Sequence, residues 1–285
     1  VGKIIKPNIK MALMKNLEKH DGPFGVLMSG GLDSHAVLFS LLELGHKPKD
    51  ITIYSVTMED HESRDFKSAR NTAQVFGIPF SPVLLPRCLD TLKRDMVANV
   101  DLLQTRSKVE VEAFWAIRRC IDQGKEHSMT GGLAADIYFA LSKTGCMHYR
   151  DCIDDYRIPK FNKVIGPTSQ TSKLKKYCRS LGREWISPWV TRGMLNEFIG
   201  TSWDDVNKPK QKQPIRTQFA DYLEQVKIFN HTDMHKGDSG IAGHFEALLE
   251  DPVWNAHGGK SVVGIYNRVI SGQLEAPPLP KKKRK

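Results

Sequence analysis

The sequence has no apolar run approaching the length that crosses a bilayer, and its first residues lack the apolar stretch of a secretory signal. A cytoplasmic protein with no membrane partner is therefore expected. Cysteine is scarce and unpatterned. Cys88, Cys120, Cys146, Cys152 and Cys178 are odd in number, and no two stand in C-x-x-C spacing. That pattern argues against a disulfide framework and against a four-cysteine zinc site. There is no internal repeat. Acidic residues are in deficit: 42 Lys and Arg face 32 Asp and Glu, a formal net charge of +10. Half of that excess lies in Lys281–Lys285. The run matches a nuclear-import signal, keeps a tail solvated or contacts nucleic acid. The remaining bias suits an ATP site and weak nucleic-acid affinity.

What is present is an ordinary globular composition, 40% apolar and 26% charged over 285 residues, enough for one large α/β domain. Its most informative stretch is Val26-Leu-Met-Ser29-Gly30-Gly31-Leu32-Asp33-Ser34. An apolar strand ends in a Ser-Gly-Gly turn and a helix begins at once. Free backbone N–H groups, two hydroxyls and the positive end of the helix dipole then face one spot, which suits a phosphate. Gly30 and Gly31 let an anion approach the backbone. No Gly-Lys-Ser/Thr follows this turn, which disfavours a Walker loop and γ-phosphate chemistry.

Around that turn the pattern alternates. Strands are predicted at Phe24–Met28, Ile51–Thr57, Phe80–Leu85 and His127–Thr130. Helices are predicted at Asp33–Leu44, Ser63–Phe76, Cys88–Asn99 and Lys108–Gln123. Strands separated by helices imply a doubly wound parallel sheet, with ligands beyond the carboxyl ends of the strands. The turns after Met28 and after Thr130 both lie at that edge. Residues 1–20 read as an amphipathic strand or helix at the core edge. Further on, Tyr149–Pro159 is acidic and aromatic, and Ser172–Leu181 reads as a basic helix. Lys208–Pro214 reads as an exposed linker, followed by a helix over 215–226 and another through Phe245–Leu249.

Four segments in order resemble the synthetase domain of asparagine synthetases, which belong to the PP-loop ATP pyrophosphatases. They are the Ser29–Ser34 loop; Tyr54–Asp60 with Asp65–Arg70 and Phe76-Gly77; Met129-Thr-Gly131-Gly132-Leu-Ala-Ala-Asp136-Ile-Tyr138; and Lys212-Gln-Pro-Ile215-Arg216 with Lys236–Gly243. The resemblance implies an adenine nucleotide α-hydrolase-like, Rossmann-like α/β fold with a helical C-terminal portion. It implies a PP-loop domain over 21–250, an N-terminal extension over 1–20 and a C-terminal extension over 251–285. It also implies cleavage of ATP to AMP and pyrophosphate with Mg²⁺, and activation of a carboxylate such as aspartate before attack by ammonia or an amine.

The site implied by that resemblance has two parts. Ser29, Gly30, Gly31, Asp33, Ser34 and Gly131 would hold phosphate, and Val56 would lie near adenine. Asp136, Lys236 and Arg216 would be catalytic. Asp33 is a Mg²⁺ ligand or a carboxylate favoured by the helix dipole. Asp136 holds metal or nucleophile, or caps the following helix. Lys236 neutralises departing pyrophosphate or is a solvated lysine, and Arg216 does likewise or pairs with a carboxylate. His231, His235 and His244 read as a basic loop region rather than a metal site.

Two departures stand out. No glutaminase segment with an N-terminal cysteine is present, so free ammonia or a separate glutaminase partner is expected. An ungapped alignment puts Gly132 where the family has a glutamate. Two alternatives follow: a PP-loop enzyme that adenylates a nucleobase in RNA or DNA, and a nucleotide-binding module without chemistry.

Overall fold

The computed structural model describes residues 7–105, 107–228, 239–255 and 262–277. Five strands and fourteen helices are present among them. In chain order they are α1 (Ile9–Leu17), β1 (Phe24–Leu27), α2 (Leu32–Glu43), β2 (Ile51–Met58), α3 (Arg64–Phe76), β3 (Phe80–Leu85), α4 (Leu89–Leu103), α5 (Lys108–Gln123), β4 (Ser128–Gly131), α6 (Lys143–His148), α7 (Ile153–Ile165), α8 (Gln170–Ser180), β5 (Glu184–Ile186), α9 (Arg192–Phe198), α10 (Trp203–Asn207), α11 (Gln213–Gln218), α12 (Ala220–Leu223), α13 (Ile241–Glu250) and α14 (Val263–Ile270). A 3-10 turn, Ala135–Tyr138, follows β4.

The strands form one parallel sheet in the order β3-β2-β1-β4-β5. Phe24 stands opposite Ile51 on one side and Ser128 on the other. The chain winds outward through β2 and β3, then returns to place β4 on the far side of β1. That reversal makes the gap beyond the carboxyl ends of β1 and β4 the topological switch point, where ligands bind in such sheets. The doubly wound α/β class expected from the alternating pattern is the class observed. No described helix is long and apolar enough to cross a membrane.

The chain divides into two compact units. The first is Val1–Ser55, Arg64–Pro82 and Gln123–His231. Its centre is α2, whose residues Leu32 to Leu41 are all buried. A helix buried on every side lies inside a domain, and here it is covered by the sheet, α1 and α11. Ile9, Leu13 and Leu17 of α1 are fully buried, so residues 9–17 form part of this core. Phe39 of α2 stacks on Tyr222 with ring centroids 4.8 Å apart and also meets Phe219 and Phe76. A buried arginine, Arg157 of α7, donates to the carbonyls of Tyr138, Phe198 and Thr201 and to the Asp154 carboxylate. It ties α7 to the turn after β4.

The second unit is Val56–Ser63, Val83–Asp122 and Thr232–Lys285. Here α4 packs against α13 and α14 around Trp115, Phe114, Met96 and Phe245. Asp95 accepts from the Trp115 indole at 2.7 Å and from Arg119 Nε at 2.8 Å.

The structure differs from the sequence expectation in four places. The helix expected over 215–226 is two, α11 and α12, broken at the buried Phe219, whose backbone leaves helical geometry at φ −120° and ψ 27°. The acidic, aromatic stretch after Tyr149 enters α7, which runs through Pro159 to Ile165. The strand β5 has only three residues, too short for a period-2 pattern to register. Most consequential, Lys208–Pro214 is not an exposed linker throughout: Lys212 and Pro214 are buried.

Candidate active site

The loop after β1 is built as its residues dictate. Met28 donates its N–H to the Tyr54 carbonyl and ends the strand. Gly30 then takes φ +72°, a left-handed conformation. A Cβ at Gly30 would stand 2.6 Å from the Asp65 carbonyl oxygen, so the loop presses on the start of α3. Gly31 is the N-cap of α2, and no side chain caps that terminus. Ser34 donates its hydroxyl to the Gly31 carbonyl at 3.0 Å, and Ser29 is half-buried at the loop's mouth.

His35 fixes the loop from beneath. The ring is fully buried, with Nδ1 2.9 Å from the Gly31 carbonyl and Nε2 2.9 Å from the Thr72 hydroxyl. Burial pulls its pKa from 6.5 down to about 4, against the Gly31 hydrogen bond, so the ring is neutral at pH 7. In that form Nδ1–H donates to Gly31 and Nε2 accepts from Thr72.

The loop after β4 meets α2 directly. A Cβ at Gly132 would lie 2.7 Å from the Ser34 nitrogen and 2.8 Å from Asp33 Cβ. No side chain, glutamate included, can occupy position 132 without displacing the start of α2. Gly131 ends β4, close over the Leu27 carbonyl. The 3-10 turn beyond carries Asp136, whose side chain is 56% exposed.

The residue that joins these two loops is Lys212. Its side chain is 3% exposed, and its Nζ donates to Asp33 Oδ2 at 2.6 Å and to Asp136 Oδ1 at 2.7 Å. The Phe139 ring lies beneath the ammonium, 5.6 Å to its centroid. Burial acts to lower the lysine pKa, but the two carboxylates outweigh it and hold the value above 10.5. Lys212 is therefore a fixed cation and no proton acceptor at neutral pH. Its backbone is left-handed, φ +58°, an unusual conformation for a side-chain-bearing residue. Asn207 stabilises that turn. Its Oδ1 accepts from the Lys212 N–H, and its Nδ2 donates to the Phe139 and Trp203 carbonyls. On the other side, the Trp189 indole donates to the Asp33 carbonyl at 3.3 Å.

Of the residues singled out in the sequence, Ser29, Gly30, Gly31, Asp33, Ser34, Gly131 and Asp136 share the first unit and flank the switch point. Arg216 lies one turn along α11, where its Nε donates to the Gln211 carbonyl at 2.9 Å rather than to either carboxylate. Burial lowers its pKa. Val56 is buried in β2, two residues past Tyr54, within the second unit. Lys236 lies outside the described residues, as do His231 and His235. Lys212 itself opens the fourth sequence segment, four residues before Arg216. Its place at the head of Lys-x-x-Ile-Arg was the available signal. Nothing in the sequence marked Asn207 or Trp189.

Asp33 and Asp136 are hard oxygen donors held together by the Lys212 ammonium, and their remaining carboxylate oxygens are of the kind that fits Mg²⁺. No group of three or more His, Cys, Asp or Glu able to hold a metal occurs among the described residues, so phosphate oxygens and water would fill the rest of the shell. An anionic nucleotide fits the uncapped start of α2 between the two glycine-bearing loops.

Comparison with known proteins agrees with this arrangement over part of the chain. Residues 8–129 match the family model described as asparagine synthase. No curated protein matches the chain. A solved structure similar to it is the U34-tRNA thiolase NcsA from Methanococcus maripaludis with its [4Fe-4S] cluster. That protein is 14% identical with a TM-score of 0.41, and the match covers 93% of this chain and 76% of that one. A likeness at that level says nothing of function. The segment from residue 8 to residue 129, with the loop after β1, α2 and the first three strands, thus carries the similarity to the asparagine synthase family of the PP-loop superfamily.

Proposed function

We propose that this protein is an ATP-dependent ligase that forms AMP and pyrophosphate while activating a carboxylate for amide formation. The observation that carries the reading is the buried Lys212 clasp, which holds Asp33 and Asp136 together at the switch point behind an uncapped helix N-terminus. The ATP phosphates lie over Ser29–Ser34. A carboxylate oxygen of the acceptor attacks the α-phosphorus, the bond from that phosphorus to the bridging oxygen breaks, and pyrophosphate leaves with the electron pair. The amine nitrogen then attacks the acyl carbon, AMP leaves, and the amine proton passes to solvent.

This chain supplies positioning and charge. Lys212 stays protonated and fixes the two carboxylates. His35 keeps the Gly31 carbonyl turned inward, leaving the loop N–H groups for phosphate. Asp33 and Asp136 would hold Mg²⁺, which neutralises phosphate charge when bound. Arg216 and Lys236 are offered as further cations for departing pyrophosphate. The amine comes from ammonia, an amine substrate or a separate glutaminase.

ATP–pyrophosphate exchange, screened with aspartate, other amino acids and small RNAs, tests the reading. Exchange that requires a carboxylate, with AMP as the nucleotide product, is expected. ADP and inorganic phosphate as products, or no pyrophosphate release with any substrate, would overturn it. Exchange with RNA alone would replace the carboxylate by a nucleobase carbonyl.

A further inference from the structure

From Tyr156 to Arg183 the sequence contains no Asp or Glu, while Lys and Arg recur throughout. The segment comprises α7 beyond its first turn, all of α8 and the links on either side. One of its cations, Arg157, is buried and structural. The others include Lys160, Lys163, Lys173, Lys175, Lys176 and Arg179. Of these, Lys160, Lys163, Lys176 and Arg179 are exposed. Leu174 and Cys178 of α8 are fully buried, as is Phe161 of α7. The two helices pack on each other through their apolar sides and leave their basic sides to solvent.

A solvated helix surface ordinarily mixes both signs, since neighbouring like charges repel. Over these twenty-eight residues every charged side chain is positive, so the segment holds no acidic partner of its own to offset that repulsion. The acidic groups that flank it are Asp154 and Asp155 in the first turn of α7 and Glu184 directly after Arg183; Asp154 is engaged by Arg157, and Glu184 lies 2.9 Å from His20 Nδ1. A half-exposed aromatic pair adjoins the field: Tyr149 and Tyr156 have ring centroids 5.6 Å apart, and the Lys160 ammonium lies 5.5 Å from the Tyr156 centroid. Cations that track phosphates, next to rings on which bases stack, form the elements of a single-strand platform.

We infer that the α7–α8 face of the first unit binds single-stranded nucleic acid through its phosphate backbone, with Tyr149 and Tyr156 receiving an unpaired base. Charge complementarity selects a polyanion, and the aromatic pair selects a strand with exposed bases over a duplex. The inference rests on this surface alone and stands whichever acceptor the ATP site serves. Because α7 is fastened by Arg157 to the turn that bears Asp136, a bound strand would lie on the layer that supports the ATP site.

Fluorescence anisotropy with a labelled 20-nucleotide RNA, its DNA counterpart and vesicles containing phosphatidylserine tests the inference on the full chain. The variant is Lys163→Glu/Lys176→Glu/Arg179→Glu. Its control is Lys15→Glu/Lys47→Glu/Lys49→Glu, which makes the same charge change elsewhere in the first unit. Both keep Lys281–Lys285, and circular dichroism checks folding. The α7–α8 variant should bind the strands at least about tenfold more weakly, with the dependence of log affinity on log salt flatter by about 2. The control should stay within about twofold of the parent. Tyr156→Ala should weaken single strands but not a duplex. Equal loss in the two triple variants, no binding by the parent at low salt, or binding to vesicles and not to oligonucleotides would overturn it. Preference for RNA or for DNA would identify the source of the strand.

Discussion

At the scale of the residue, two buried bases set opposite pH dependences. Lys212 has a folded pKa above its unfolded value, so its contribution to stability is complete below about pH 10.5 and is lost as pH rises through the folded value. Lys212→Met removes the cation and leaves Asp33 facing Asp136. Breaking such a pair by deleting one partner costs about 3 kcal/mol. Urea denaturation should show that loss at pH 7, and the variant should lack the parent's decline above pH 10.5. His35 behaves in the reverse sense. Its folded pKa of about 4 lies below 6.5, so its share of stability is complete above pH 6.5 and disappears as pH falls toward 4. The shift corresponds to about 3 kcal/mol. His35→Gln should show a shallower loss of urea midpoint between pH 7 and pH 4.5 than the parent.

At the scale of the element, the contact between the turn after β4 and the first turn of α2 decides whether the Ser29–Ser34 loop keeps its shape. Gly132→Ala would force its Cβ against the backbone of Ser34, and α2 must shift to relieve it. A cost of about 2 kcal/mol is expected, with nucleotide affinity about tenfold weaker in isothermal titration. Unchanged affinity would mean that the two loops move independently. The elements that frame this contact were legible in the sequence because their signals are local. An apolar run, a glycine turn and a helical period define β1 and α2, and the repeating alternation of strand and helix predicts the doubly wound sheet. The burial of Lys212 and its two ion pairs were not legible. The run from Lys208 to Pro214 has the composition of a solvated loop, and only contact with Asp33, 179 residues away, makes one of its lysines an interior group. Phe219 is a similar case, since its burial against Phe39 overrides the helical period on either side.

At the scale of the whole molecule, a nucleotide that binds only the folded chain must stabilise it by mass action. A non-hydrolysable ATP analogue at 100 times its Kd would add about 2.7 kcal/mol, a rise of about 5 °C in melting temperature for a chain of this size. Differential scanning fluorimetry should show that rise in the parent and its loss in Lys212→Met and Asp33→Asn. The excess of positive charge, pI about 9.3, makes any measured affinity for polyanions depend on salt, so such values need a stated ionic strength. The clasp also has a consequence for how the chain is made. The stretch that matches a known family ends at residue 129, yet the bridging lysine is drawn from residue 212. A ribosome must therefore deliver most of the polypeptide before the two carboxylates find their counter-ion. Until then the nascent chain can fold its sheet, but the clasp between the two glycine-bearing loops stays open.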